Sequence, residues 1–381
     1  MAHVFKYPTA SNKGVVVFTH KEMQFFFPNH AFFNPVGKKE SLKRLVGLGS
    51  ASRANNAKAE RMLESLGKNY FIGVHFGWEQ HNFPDFGVLD FCLGSSSGVT
   101  IDSDRMSFIP LNSRNFISDH FFLDEPKLHT KLWDVLMVSR DAKFKNIDLF
   151  LKAIRRIYDS GQKPSVLLLI PSHPRRDKDS NFTYTELMED YQRLFDYKDR
   201  ESFSILKLHT DMPVLGMTHA QLAKFYHLSK TFALFSEVEG GSKVISEALL
   251  SGLTVIAKSD LKGGGLDYLT PENSVLFDEF ESSEKAILKA LELYDTRQFD
   301  KTIQDRVGEK RSIEQLKSHF EKLYQTHGQT FDGKLDQVDY LSLRLPGIWS
   351  DDLPWAKSDF ATSDILSDKQ LDRFVEALKI T

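Results

Sequence analysis

The chain has 381 residues, which suits two domains of about 150 residues each, long enough for both to bury a core. Hydrophobic residues make up 41% and charged residues 27%, and the formal net charge is −3. That balance excludes disorder as a description of the whole chain and excludes a strongly basic nucleic-acid binder. A single cysteine, Cys92, excludes an internal disulfide and fits a reducing compartment. The start, Met1 to Tyr7, carries no apolar core of signal-peptide length. The longest apolar runs, such as Val166 to Pro171, are strand-sized and fall far short of the ~20 residues that a membrane-spanning helix needs. The expected setting is cytoplasmic, with any membrane contact peripheral.

In chain order, Gly14–Thr19 (GVVVFT) reads as a buried strand, Tyr70–Phe76 as another and Phe108–Leu111 as a third. Between the first two lies Gly37–Lys68, with eight basic against three acidic side chains. It reads either as a solvated helix pair or as a basic face that meets anionic lipid head groups or an anionic acceptor. His75 lies inside a strand-like run and reads as a core histidine. His20 and His81 lie nearer loops and are candidates for acceptor or sugar contact.

From about Trp133 the pattern becomes regular. Apolar or β-branched runs at Trp133–Ser139, Ser165–Ile170, Phe203–Leu208, Thr231–Phe235, Thr254–Ala257 and Ser274–Phe277 alternate with stretches of helical period. The helical stretches are Asn146–Tyr158, Thr183–Leu194, Thr218–Ser229, Lys243–Leu250 and Ser282–Tyr294. Strand and helix alternating at this spacing predict a parallel sheet with helices on both faces. Past Phe331 come Pro346, Pro354, Trp355 and a helical stretch at Lys369–Leu378, too short for a domain. The expected division is 1–125, 126–340 and a tail 341–381 that packs back on the rest.

The segment Thr231–Ala257 carries the most chemistry. A buried strand runs into Ser236 and Glu237, then Glu239, Gly240, Gly241 and Ser242, and a helix opens near Lys243. Glu247 follows Glu239 with seven residues between, and Gly252 closes the helix as a glycine past its C-cap. The carboxyl end of a parallel strand is where ligands bind in open α/β sheets. Glycines there allow close approach of the backbone, and the helix N-terminus favours negative charge. Two acidic side chains on either side of an amide cradle suit a molecule with hydroxyls at both ends and phosphates between.

This segment resembles the Glu-x7-Glu signature of the retaining glycosyltransferases of family four, also called group 1. Glu239 and Glu247 match the two glutamates, and Glu247-Ala248 with Gly252 matches the Glu-Ala…Gly run. The resemblance implies a GT-B fold: two Rossmann-like α/β domains facing across a cleft, the N-terminal one reduced here. It implies that Glu239 contacts the transferred sugar, that amides around Gly240, Gly241, Ser242 and Lys243 hold its hydroxyls, and that Glu247 binds the ribose. Arg140 and Lys145, after the strand at Trp133–Ser139, resemble the family's Gly-Arg-(x)4-Lys-Gly segment, whose two cations clamp the diphosphate. Ser139 and Asn146 stand where that segment has glycines, and Lys143 competes for the role of Lys145. Asp260–Leu269 (DLKGGGLDYL) resembles the family's Gly-Gly…Glu loop, with Gly264 among its donor amides and Asp267 where glutamate is common.

The resemblance fails at Pro171–Arg176, which lacks the usual Gly-x-Gly turn, and at Thr19-His20-Lys21, where a Gly-Gly loop is usual. Asp102-Ser103-Asp104 has metal-binding spacing but reads as incidental in such a frame. No zinc spacing and no phosphate-binding P-loop motif occurs. The expected activity is metal-independent transfer of a hexose, without a cofactor, from a UDP-sugar, or a GDP-sugar second, to a saccharide or lipid-linked acceptor in cell-surface glycan synthesis. Three other readings stay open: a sugar-nucleotide epimerase or hydrolase, a non-catalytic nucleotide-binding partner of another transferase, and glucosylation of modified DNA.

Overall fold

The computed structural model describes residues 2–19, 64–75, 82–84, 87–94, 100–102, 106–112, 114–140, 142–170, 184–208, 217–239, 242–333 and 335. His20, His81, Gly240, Gly241, the basic stretch up to residue 63 and the tail 341–381 lie outside the described residues. The chain forms two compact units, Met1–Ser113 with Ile313–Thr381, and Arg114–Ser312.

The first unit is built on β1 (Ala2–Lys6), β2 (Gly14–Thr19), β3 (Tyr70–His75), β4 (Asn82–Pro84), β5 (Phe91–Leu93), β6 (Thr100–Asp102) and β7 (Ser107–Ile109). Its main sheet runs β1-β2-β3-β5-β7. β1 is antiparallel to β2, and the other neighbours are parallel. β4 and β6 make a separate parallel pair. The expected strands at 14–19, 70–76 and 108–111 are present, the last shifted to Ser107–Ile109. β1 and β5 were not expected: one is short and mixes His3 and Lys6 with few apolar residues, and the other has three residues, too few to display a period of two. The core is aromatic. Phe320 packs edge-on against Phe5 and Phe91, with ring centroids 5.2 and 5.5 Å apart, and Tyr324 against Phe71 at 4.9 Å. His75 is buried in β3, as a core histidine should be.

The second unit contains β8 (Trp133–Val138), α1 (Ile147–Asp159), β9 (Val166–Ile170), α2 (Tyr184–Leu194), α3 (Tyr197–Arg200), β10 (Phe203–Lys207), α4 (His219–His227), β11 (Ser229–Leu234), β12 (Val238–Glu239), α5 (Lys243–Leu250), β13 (Thr254–Lys258), β14 (Lys262–Gly263), β15 (Ser274–Phe277), α6 (Ser283–Thr296) and α7 (Gln304–Val307). Its sheet runs β10-β9-β8-β11-β13-β15 with every pair parallel. All the strands and helices expected from Trp133 to Tyr294 are present, with ends within about two residues of the expectation, and the helical stretch expected at 369–378 lies outside the described residues. The helix α8 (Glu309–Thr326) was not anticipated. Its buried positions Leu316, Phe320 and Tyr324 form a narrow stripe amid charged residues.

Side chains alternate across β8 as a two-residue period requires. Val135 and Met137 enter one core with Ile154 and Phe150 of α1, Leu187 of α2 and Ile287 of α6. Leu136 enters the opposite core with Tyr226 of α4, Ile245 and Ala248 of α5, and Val307 of α7. Each fully buried Val, Leu, Ile, Phe or Met among them contributes about 1.5–3 kcal/mol. Helices therefore cover both faces, and the doubly wound α/β class expected from the sequence is present. Among the described residues no helix is long and apolar enough to cross a membrane.

Candidate functional site

The strand order of the second unit fixes where a ligand can enter. β8, first in sequence, has β9 on one side and β11, fourth in the sheet's chain order, on the other. The winding direction reverses between β8 and β11, which opens a crevice at their carboxyl ends.

The turn after β8 is tightly built. Ser139 is buried and its Oγ donates to the Arg140 carbonyl at 3.2 Å. A single 3-10 turn covers Lys143–Lys145. Asn146 follows at φ 51°, ψ 42°, the left-handed region that favours glycine or asparagine. It therefore satisfies the backbone requirement that glycine meets in the related motif, and its Nδ2 also donates to the Phe235 carbonyl at 3.0 Å. That bond ties the turn after β8 to the end of β11.

The turn after β11 carries Glu239 on β12. Val238 and Glu239 pair in parallel with Lys262 and Gly263 of β14, and the Lys262 amide donates to the Glu237 carbonyl at 2.9 Å. Lys145 Nζ donates to Glu239 Oε1 in an ion pair across the crevice. Both side chains are largely enclosed, 14% and 12% exposed. Lys145, not Lys143, therefore meets the acidic turn. Lys143 instead lines a cavity of about 560 Å³ with Asp148 of α1 and Glu186, Glu189, Asp190 and Arg193 around α2. The Arg140 guanidinium lies 4.9 Å from the centre of the Phe144 ring and Lys145 Nζ lies 5.2 Å from it, so the two expected cations flank one ring that is 41% exposed.

On α5, Ser242 is the buried N-cap and its amide donates to the Gly264 carbonyl at 3.4 Å. Lys243 opens the helix. Glu247 is buried in the second turn, where its Oε2 accepts from the Tyr226 hydroxyl of α4 at 3.0 Å. Burial pushes the Glu247 carboxyl up to about 7, against the lowering pull of the Tyr226 hydroxyl and Lys243. Burial and the neighbouring carboxylate raise Tyr226 well above the ordinary phenol value.

Thus the structure brings Glu239 and Lys145 into contact, places Arg140 beside Lys145 on Phe144, and joins Ser242 to Gly264 through the backbone. Glu247 contacts Tyr226 inside the helix layer. Sequence reasoning missed Tyr226, Phe144 and the left-handed Asn146. The asparagine in a glycine position was the one available signal among them.

Residues 120–305 match the family model of the glycosyl transferases group 1. This segment is a glycosyltransferase group 1 domain. The group 1 domain contains Arg140, Lys145, Glu239, Ser242, Lys243, Glu247 and Gly264, and it lies within the second unit. No curated protein matches the sequence. Among solved structures, the chain is similar to the pneumococcal O-GlcNAc transferase GtfA in complex with UDP and GlcNAc, at 15% identity and a TM-score of 0.47, over 69% of this chain and 55% of that one. It is also similar to the sucrose-phosphate synthase of Thermosynechococcus elongatus, at 16% identity and a TM-score of 0.46, over 68% of this chain and 74% of that one. A glycosyltransferase from Rickettsia africae is similar at 14% identity and a TM-score of 0.46, over 68% and 73% of the two chains. The chain thus spans about 55% of the length of the pneumococcal enzyme.

Proposed function

We propose that the chain is a retaining hexosyltransferase that moves a sugar from a UDP-sugar, or a GDP-sugar second, to a saccharide or lipid-linked acceptor in cell-surface glycan synthesis. The observation that carries this reading is the Lys145–Glu239 pair at the crevice between β8 and β11, inside the group 1 domain. A cation and a carboxylate side by side suit a donor whose phosphates sit against its transferred sugar. Lys145 and Arg140 hold the diphosphate, Glu239 accepts from sugar hydroxyls, and Glu247 accepts from the ribose. Amides at the start of α5, next to Ser242 and Lys243, complete the sugar cradle.

In the reaction the bond from the anomeric carbon to the diphosphate oxygen breaks, and its electron pair stays on that oxygen. Negative charge grows there, and two fixed cations stabilise it in place of a metal. The acceptor oxygen forms the new bond on the same face, and its proton passes to the departing phosphate. No side-chain base is needed. His20 and His81 remain acceptor-side candidates, and the basic stretch 37–68 remains the candidate contact for an anionic acceptor or lipid surface at the inner face of the membrane.

The test is incubation of the pure protein with a panel of UDP- and GDP-sugars and saccharide acceptors, with products read by NMR. Retained anomeric configuration, lost in Lys145→Ala and Glu239→Ala, is the expected result. Epimerised or hydrolysed sugar released without acceptor would replace the reading with an epimerase or hydrolase. Tight UDP binding with turnover only in a mixed complex would make the chain a non-catalytic partner.

A further inference from the structure

We infer that Arg114, paired with Asp267, is a positioning residue that holds the glycine loop 263–265 against β12 and so fixes Glu239. This rests on the reading of Glu239 as a donor contact, and it concerns a residue outside the matched segment 120–305.

Arg114 is buried, with a side chain only 1% exposed. Its Nη1 meets Asp267 Oδ1 at 2.8 Å, and its Nη2 donates to Asp267 Oδ2 at 2.9 Å. The guanidinium lies 4.6 Å from the centre of the Tyr268 ring, and that of Arg306 lies 5.1 Å from it. Arg306 Nη2 also donates to the Asp267 carbonyl at 2.8 Å. Asn115 Nδ2 donates to the Tyr268 hydroxyl at 2.8 Å and Asn273 Nδ2 to the Tyr268 carbonyl at 3.0 Å. The loop after β14 is thus held at Asp267 and Tyr268 by side chains from three separate segments of the unit.

Gly264 lies directly on the guanidinium. A Cβ built there would stand 2.5 Å from Arg114 Nη1. The requirement for glycine at 264 therefore comes from Arg114. On the other side, the Gly264 carbonyl accepts from the Ser242 amide, and Gly263 pairs with Glu239. Arg114, Gly264, Gly263 and Glu239 form one continuous set of contacts.

An arginine buried with its carboxylate is an inefficient source of stability, because apolar side chains of equal volume serve as well. What the planar, two-pronged pair provides is a fixed orientation that lysine cannot copy. A loop that must present amides and a carboxylate to a donor needs that orientation.

The experiment is hydrogen–deuterium exchange on the full chain, comparing the wild type with Arg114→Lys and Asp267→Asn. Arg155→Lys, which alters the Arg155–Asp199 pair elsewhere in the same unit, is the control. The expected result is exchange about tenfold faster at the Ser242 and Lys262 amides in both loop variants, with β8 and β9 unchanged. The control leaves Ser242 and Lys262 at wild-type rates. No change at those two amides, or equal acceleration throughout Arg114–Ser312, overturns the inference. Should one variant fail to fold, the other decides, with Gly264→Ala as a third route to the same displacement. UDP titration is run alongside, with an expected loss of about tenfold in affinity in Arg114→Lys. A wild type that binds no UDP sinks the functional reading alone, since the exchange result does not depend on donor.

Discussion

Lys145 and Glu239 share one enclosed position, so each is the other's main source of charge balance. Removing one leaves its partner poorly solvated, at a cost on the order of 3 kcal/mol, whereas removing both costs less. Lys145→Met and Glu239→Gln singly will therefore destabilise the protein more than their combination implies, and a denaturant double-mutant cycle reads that coupling. On the proposed reaction, Lys145→Met lowers kcat by about 10²–10³-fold, as loss of a fixed donor to the developing charge does. Initial rates at saturating donor check this.

Glu247 makes a second prediction. Its carboxyl holds a proton up to about pH 7 in the fold because burial disfavours the charge, while in the unfolded chain it ionises near 4.5. Between those values the folded state carries a proton that the unfolded state has released. Stability therefore falls as pH rises through that window and levels off above it. The full effect is on the order of 3 kcal/mol. Glu247→Gln removes this slope, raising the melting temperature by several degrees near pH 8 and little near pH 5. Thermal melts between about pH 5 and pH 8 measure the difference between the two proteins.

Two helix ends show how single residues fix whole segments. At the end of α5, the Leu253 amide donates to the Ala248 carbonyl at 2.9 Å and the Gly252 amide to Leu249 at 3.0 Å, with Gly252 at φ 76°. This is a Schellman motif, and it turns the chain into β13. A Cβ on Gly252 would stand 2.1 Å from Pro126 Cγ. Gly252→Ala thus adds a clash to backbone strain and will cost at least about 2 kcal/mol by chemical denaturation. At the start of α1, Asn146→Gly keeps the left-handed geometry and loses only the bond to Phe235, about 1 kcal/mol. Asn146→Leu adds about 1–2 kcal/mol of backbone strain. The ranking Asn, Gly, Leu in unfolding free energy is the test.

Across the molecule, protection should follow the sheet of the second unit. β8 and β11 are flanked by strands on both sides and covered by helices on both faces, while β10 and β15 are its edges. Native-state hydrogen exchange will be slowest in β8 and β11 and faster in β10 and β15. The Lys145–Glu239 pair is mounted on the turns that leave two interior strands of this sheet, which suits a site needing fixed charges.

The amino-acid sequence by itself determined the alternating strands and helices of 133–296, because apolar runs and helical periods are local and repeat many times. It also determined the C-terminal glycine of α5 and the residue types of the two turns, since Arg140, Lys145, Glu239 and Glu247 each lie a few residues from a strand or helix end. It did not reveal β1, β5 or α8, whose apolar positions are too few or too widely spaced to stand out. Tertiary structure alone decided that β8 and β11 are neighbours, which brings Lys145 to Glu239 across 94 positions of sequence. It alone decided that Arg114 meets Asp267 across 153 positions, and that Glu247 is enclosed against Tyr226. The reason is physical: periodicity reports which face of an element is buried, whereas strand order and side-chain pairing arise only when distant segments pack against one another.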